Sequence, residues 1–413
     1  LCRIALSNCV DFVLKTCKVA TNAGFDMSSR YNPKQNQSVT PGGLTYCTNI
    51  HPGEAWPDII ANLDAHVPRV KQACSPDAPF PLGLRISHRA ATEIGDEEIA
   101  LFHNWCAQQD CYLLTINGFP YGDFHEREVK ENVYQPDWRS QERVVYTKRL
   151  VDLAIAMMTQ PTELSISTVP IAFKNNFDLN DWPLVRNNLI DVLTYVAQVH
   201  VNSGIIVRLA LEPEPGCVLE TMDEVTAFFD EMAFPSELRD YIGICFDACH
   251  QAVEFEDPAT CLARLAQAEV AIVKVQVSNA LRAVGDELPN LSRFCEPVYL
   301  HQAIALAQSG KGPELTRFND LPQFMDYIEA GNNPNECRVH FHVPVFVDHL
   351  GDCGTTRFFL EDFIPRLHPH IPLEVETYSF NVLPAHLRRD SIGASIEREL
   401  QWVKTLLQRS DKL

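Results

Sequence analysis

An α/β chain wound as a (β/α)8 TIM barrel is the fold class the sequence predicts, and three observations predict it. Short apolar runs that read as strands recur from residue 44 onward, alternating with stretches that carry helical spacing. Several of these runs end on Asp or Glu, at the strand ends where a barrel keeps its active site. The first strand is not followed by a glycine-rich dinucleotide fingerprint, which argues against an open doubly wound sheet.

Strands are expected over residues 44–50, 81–87, 111–117, 163–168, 205–212, 241–247, 270–277 and 372–377. The helices between them are signalled locally. Residues 182–203 place Leu189, Leu193, Val196 and Val199 at helical spacing and stop at Gly204, directly before the run IIVRLALE. Thr221 and Glu224 form a T-x-x-E capping box after the fifth strand, and Asp257 with Pro258 is an N-cap followed by proline at the first helical position.

Two regions depart from a minimal barrel. Residues 281–337 read as a long insertion before the last strand. RVHFHVPVF, residues 338–346, is a ninth strand-like run, either a return segment of that insertion or a barrel strand in its own right. Residues 1–43 are expected to form a tail, poorly ordered and separate from a barrel domain over 44–413. They carry Cys2, Cys9 and Cys17 in a weakly patterned run, with Met27 as an alternative start, and pass through the polar NPKQNQSVTPGG.

Composition narrows the function. With 413 residues, 46% hydrophobic and 21% charged, the chain is long enough for a large barrel plus insertions. A formal charge of -20 argues against a broad grip on a phosphate backbone, which needs clustered Lys and Arg, so nucleic acid is not the expected partner. A small-molecule substrate is. The 14 cysteines are scattered without a CxxC pair, which suggests a reduced, cytoplasmic setting without a disulfide framework. The sequence has no apolar run long enough for a membrane span.

The stretch YIGICFDACH, residues 241–250, is where the chemistry concentrates. A buried strand ends on Asp247, and His250 follows three residues later. Asp at a strand end is also an ordinary N-cap, so the weight comes from the other strand ends. The fifth ends in LALEPEPGC with Glu212, and Glu214 and Glu220 lie nearby. On the seventh, Lys274, Gln276 and Ser278 share one face, and on the last Glu374 and Glu376 do, by the period of two along a strand. His340 and His342 likewise share a face, which serves either metal ligation or packing. Carboxylates and imidazoles converging from separate strands suit Mn²⁺, Mg²⁺, Co²⁺ or Zn²⁺.

Candidate substrate contacts lie in the loops. INGFPYGDFH after the third strand carries Asn117, Tyr121 and His125, and reads either as a tight turn with packed rings or as a pocket wall for a polyol. NIHPGE offers His51. RISHR offers Arg85, to hold an anionic group or to form a salt bridge inside the barrel.

Taken together, LEPEPGC, FDACH, KVQVSNAL, EPVYLHQA, RVHFHVPVF and LEVETYSFNVLP, with TYCTNIHPGE, NGFPYGDFH and SISTVP, resemble the metabolite traffic proteins of the Ebo type. These belong to the sugar-phosphate isomerase/epimerase and apurinic-endonuclease-like barrel superfamily. The resemblance runs from Thr45 to about Val403. It implies a barrel of the xylose-isomerase kind with a divalent-metal site, whose pattern falls on Glu212, Asp247, His250 and Glu376. Where sugar epimerases of the superfamily supply His or Asp from the seventh strand, this chain has Lys274 and Gln276, so His340 or His342 is expected to supply the imidazole. For the family, the resemblance implies a role in moving or maturing a secondary-metabolite precursor in bacteria.

The reading that follows is a metal-dependent isomerase or epimerase-like protein for a small polyol or keto metabolite. In it, Glu212 and Glu376 exchange a carbon-bound proton, Lys274 polarises a carbonyl or replaces one ligand's charge, and His51, Arg85, Asn117, Tyr121, His125 and Gln276 contact substrate. Two alternatives stand beside it: a barrel that binds and hands on a metabolite without turnover, and a metal-dependent phosphoesterase of the apurinic-endonuclease kind.

Overall fold

The computed structural model describes residues 42–410 apart from 123, 125–128, 160–162, 311, 386–387 and 389–390. The tail expected over 1–43 lies outside the described residues except for Gly42 and Gly43, and His125 lies outside them as well.

Seven parallel strands come first: β1 (Leu44–Tyr46), β2 (Phe80–Arg85), β3 (Cys111–Asn117), β4 (Leu164–Thr168), β5 (Val207–Leu211), β6 (Ile242–Asp247) and β7 (Ile272–Val277). The chain then builds a second sheet from β8 (Asn279–Val284), β9 (Ala303–Ser309), β10 (Gly312–Phe318), β11 (Glu336–Val343), β12 (His349–Leu350) and β13 (Cys353–Thr355). It returns to the first sheet as β14 (Leu373–Val375), between β7 and β1. The first sheet has eight strands in the order β1-β14-β7-β6-β5-β4-β3-β2, and a parallel bridge between Cys47 and Gly83 joins its two ends. This is the (β/α)8 barrel with a long insertion before its last strand. No described helix is long and apolar enough to cross a membrane.

The local signals act as the sequence indicates. The helix Trp182–Ser203 ends at Gly204 with φ 75°, a left-handed conformation that glycine adopts without a Cβ penalty. Its Leu189, Leu193 and Val196 are buried against the barrel, each contributing roughly 1.5–3 kcal/mol of apolar transfer. Thr221 caps the helix Met222–Met232 by accepting from Glu224 N, and Asp257 caps Pro258–Gln267 by accepting from Thr260 N.

The barrel interior is polar on two levels. At the deeper one Lys274 Nζ lies 2.5 Å from Glu374 Oε2, with both side chains out of contact with water. Glu374 fills the space beside Gly83, where an added Cβ would stand 1.9 Å from its Oε1, so only glycine fits. The upper level, formed by Glu212, Asp247, Gln276 and Glu376, opens at the carboxyl ends of the strands.

The second sheet is antiparallel, in the order β10-β9-β11-β8-β13-β12. Of residues 338–346, 338–343 therefore belong to the insertion's sheet and 344–346 follow it as a turn, and the barrel closes without them. Arg317 of β10 fastens this sheet to the barrel by reaching Glu254 (2.6 Å) and Glu220 (3.2 Å). The pairing of β11 with β8 shifts register between Val339 and Val343, a bulge that re-aims the strand over the barrel mouth. Phe341 packs on Phe294 and His301, while His340 and His342 point the other way.

Candidate metal centre

Asp247 ends β6 and does two things at once. Its Oδ1 accepts from His250 N (3.0 Å), capping the helix Ala248–Val253, and from Ser278 Oγ (2.6 Å). Its Oδ2 is buried and has no hydrogen-bond partner. That orphan oxygen lies 3.8 Å from His250 Nε2 and 3.9 Å from His342 Nε2. A buried anionic oxygen without a donor is costly, and a cation is what such a position lacks.

Three imidazoles meet there. His250 Nε2 is 3.0 Å from His340 Nε2, which is 3.2 Å from His342 Nε2. The other nitrogen of each ring faces an oxygen that can only accept: Pro213 O for His250 (2.8 Å), Gln302 Oε1 for His340 (2.7 Å) and Glu376 O for His342 (3.0 Å). In the neutral rings each Nδ1 therefore carries the proton, and each Nε2 turns a lone pair inward. Ligands about 2.1 Å from one tetrahedral ion stand roughly 3.4 Å apart, and the four atoms here bracket that spacing. Asp247, His250 and His342 form one group that could hold a divalent ion, and His340 joins His250 and Glu214 in a second and His342 and Cys249 in a third.

Glu212, Asp247 and Glu376 form a neighbouring buried cluster, with one oxygen of each within 4.8 Å of the others. Glu376 Oε1 accepts from Asn49 Nδ2 (2.8 Å), Asn117 Nδ2 (3.2 Å) and Gln276 Nε2 (3.2 Å), while Glu212 Oε2 has no partner. Burial, then the Asp247 carboxylate, pushes Glu212 up to about 8. Burial, then Glu212 and Asp247, also drives Glu376 well above the usual carboxylate range. Three amide donors on one oxygen favour the anion on Glu376, so the proton that two crowded carboxyls share resides on Glu212. Burial works against the Asp247 anion too, but His250, His342 and the Ser278 hydroxyl hold its carboxyl below the usual range.

The imidazoles divide in the same way. Burial lowers His342 to about 4, and burial together with the neighbouring imidazoles takes His340 well below the ordinary value. Burial also opposes a charge on His250, but Asp247, Glu214 and Glu212 outweigh it and raise that ring. His250 is the one that takes a proton when no metal holds it.

A pocket open to solvent, with about 520 Å³ of atom-free space including its mouth, lies over this cluster, with Asn49, Asn117, Glu212, Glu214, His250, His340 and Glu376 among its polar lining residues. Phe119, Phe124, Val133, Tyr299, Leu300 and Tyr378 supply much of the wall. Of the candidates named from sequence, Asn117, Glu212, His250, His340 and Glu376 reach the cavity. Asp247, Gln276 and His342 lie directly behind it through the contacts above. Four others are engaged elsewhere. Lys274 is paired with Glu374, which holds its ammonium above the ordinary lysine range against the effect of burial. Arg85 forms a two-pronged pair with Glu54 (2.8 and 2.7 Å), and His51 stacks on His66 with centroids 4.1 Å apart. Tyr121 packs on His88 and Tyr146.

Sequence reasoning misses Asn49, Tyr134, Gln302 and Tyr378. It notes Glu214, two residues beyond Glu212 in LEPEP, without a role, although this carboxylate accepts from Tyr134 OH (2.7 Å) beside His340. The other four sit in loops or after strand ends, where no periodicity marks them.

Fold and donor set together define a TIM-barrel protein with a candidate divalent-metal centre at the carboxyl ends of its strands. No family model and no curated protein matches the chain. Among solved structures it is similar to a xylose isomerase domain protein from Planctomyces limnophilus (TM-score 0.49, 15% identity, 91% of this chain and 100% of that one). A xylose isomerase-like TIM barrel protein from Mycobacterium smegmatis in complex with magnesium gives TM-score 0.49 at 10% identity over 89% and 97% of the two chains. An L-ribulose 3-epimerase gives TM-score 0.49 at 12% identity over 90% and 96%. The likeness is one of chain path.

Proposed function

We propose that this chain is a metal-dependent isomerase or epimerase-like enzyme for a small, uncharged polyol or keto metabolite. The observation that carries the reading is the convergence of three inward Nε2 lone pairs and the orphan Asp247 Oδ2 beside a carboxyl pair that lines the cavity. Asp247, His250, His340 and His342 would hold the ion, and a donor set of three imidazoles and one carboxylate suits Zn²⁺, Co²⁺ or Mn²⁺ better than Mg²⁺. Bound there, a divalent ion supplies Lewis acidity toward adjacent hydroxyl and carbonyl oxygens.

The protein's own groups then move the proton. Glu376, held anionic by Asn49, Asn117 and Gln276, accepts a proton from the carbon next to the carbonyl. Glu212, protonated near neutral pH, returns one to the carbon framework. Lys274 acts indirectly here, by keeping Glu374 charge-balanced below the site. Phosphoesterase chemistry is disfavoured: the one lysine or arginine among the described lining residues, Lys130, is tied to Asp320 (2.7 Å). The aromatic and aliphatic walls favour a second reading, a barrel that binds a metabolite and passes it on. That reading suits secondary-metabolite precursor traffic of the kind the Ebo-type resemblance implies.

Metal analysis of the purified chain together with deuterium wash-in from D2O on a panel of keto sugars and cyclic polyols separates these readings. About one ion per chain with carbon-bound deuterium supports the enzyme. Tight binding without exchange supports the carrier, and a chain that takes up no ion under any condition refutes the metal-dependent enzyme.

A further inference from the structure

Three imidazoles present Nε2 to one point only if something holds each proton on Nδ1. For His250 and His342 a backbone carbonyl does this, but for His340 the acceptor is a side chain, Gln302 Oε1 at 2.7 Å. We infer that Gln302, contributed by the insertion just before β9, is a positioning residue that fixes the tautomer and ring orientation of His340 for the metal centre. The inference deepens the metal reading above and rests on it.

The amide cannot be turned around without loss. Gln302 Nε2 has two hydrogens: Pro215 O takes one (2.7 Å) and the Tyr134 hydroxyl oxygen the other (2.8 Å). Tyr134 donates its own hydroxyl hydrogen bond to Glu214 Oε1 (2.7 Å). Every hydrogen on the amide nitrogen is thus spoken for, and only Oε1 is left to face His340. Reversing the amide would set its carbonyl against Pro215 O and its NH2 against the Nδ1 proton. Gln302 is 2% exposed, so water offers no substitute. The backbone reinforces the alignment, because His340 N donates to Gln302 O (2.8 Å) and His301 Nδ1 bonds His340 O (2.9 Å).

Acceptors behind a ligating imidazole commonly account for about 10- to 100-fold in metal affinity, and that sets the expected effect. Gln302→Met keeps the length of the side chain and removes the acceptor. Gln302→Glu, protonated in this buried place, keeps an acceptor toward His340 and a donor toward Pro215. Two measurements on the full chain test the inference. In metal-free protein, at a pH high enough to leave His250 neutral so that its Nε2 has no proton to give His340, nitrogen-proton correlation of the imidazoles should find the His340 proton on Nδ1 in the wild type and in Gln302→Glu, and on Nε2 in Gln302→Met. In chelator competition with Zn²⁺, Gln302→Met should bind about 10- to 100-fold more weakly and Gln302→Glu within a few-fold of wild type. If Gln302→Met does not fold, Tyr134→Phe carries the test, since it frees one amide hydrogen and should weaken Zn²⁺ binding less but in the same direction. An Nδ1 proton that stays in place in Gln302→Met, or unchanged Zn²⁺ affinity in the variant that folds, overturns the role of Gln302. A wild type that binds no Zn²⁺ but shows the tautomer change refutes the metal centre alone and leaves Gln302 as the lock on His340.

Discussion

His250 Nε2 lies 3.0 Å from His340 Nε2, although 90 residues separate them and one sits on the helix after β6 while the other sits on β11 of the insertion's sheet. Two imidazole lone pairs at that distance repel unless a cation stands between them or beside them. A proton on His250 meets the need in the free chain, and a metal ion meets it with Asp247 Oδ2 as a further ligand.

Removing the carboxylate should therefore cost more metal than trimming the cavity wall. Asp247→Asn and His342→Ala are expected to lose most of an ion content near one per chain, while Phe119→Leu keeps it, as measured by elemental analysis after dialysis. Added Zn²⁺ should raise the melting temperature of the wild type and not that of Asp247→Asn, since binding to the folded state alone stabilises it. Equal ion content in all four proteins would refute the ligand assignment.

The Lys274–Glu374 pair predicts an asymmetry between single and double variants. Both groups are fully buried, so Lys274→Met or Glu374→Gln alone leaves an uncompensated partner and should cost about 3–5 kcal/mol in urea unfolding. Lys274→Met combined with Glu374→Leu should recover much of that loss. Additive losses in the double variant would mean that the pair is not coupled.

Gly83 is constrained by the same pair. A Cβ there would stand 1.9 Å from Glu374 Oε1 and 2.9 Å from Tyr46 O, so Gly83→Ala must displace the carboxylate or part the strands. A lowered melting temperature is expected, and the loss should be smaller in a Lys274→Met/Glu374→Ala background only if the side chain, rather than the backbone, takes up the strain.

Glu399, fully buried on the C-terminal helix, predicts a pH effect. Burial pushes its carboxyl up to about 7 against donors from Thr377, Val345 and Ser395, while the unfolded chain titrates it near 4.5. The folded state holds the proton more tightly, so this group favours folding fully below about 4.5, and the benefit is lost as pH rises through about 7. Glu399→Gln should remove that loss. Its stability relative to wild type should rise between pH 5 and 8 by a few kcal/mol, since each tenfold preference of the folded state for the proton is worth about 1.4 kcal/mol. Parallel stability curves would show that Glu399 ionises without cost.

Much of the fold was legible because it is written in local periodicity. Alternating apolar runs, the Gly204 stop and the Thr221 and Asp257 caps each act over a few residues, so the barrel strands and their helices follow from short stretches of sequence. The pairing of Asp247 with His250 was legible for the same reason, since three residues across a strand end and the first turn of a helix is a local distance.

What only the tertiary structure decided was which partner each buried polar group finds. Nothing in RVHFHVPVF says whether it pairs with β8 and β9 or with the barrel, because strand partners are chosen by contacts far along the chain. The same holds for charge. Arg85 and Lys274 read equally well as substrate groups, and they are engaged instead by Glu54, 31 residues away, and Glu374, 100 residues away. Gln302 and Tyr134 carry no local signal of their role, because a side chain that orients another is defined by hydrogen-bond geometry across the fold. The sequence by itself determined the barrel and the Asp247–His250 step. The tertiary structure decided that β11 delivers His340 and His342 to meet them, since a desolvated donor or acceptor must be matched wherever packing puts it, however distant its partner is in the chain.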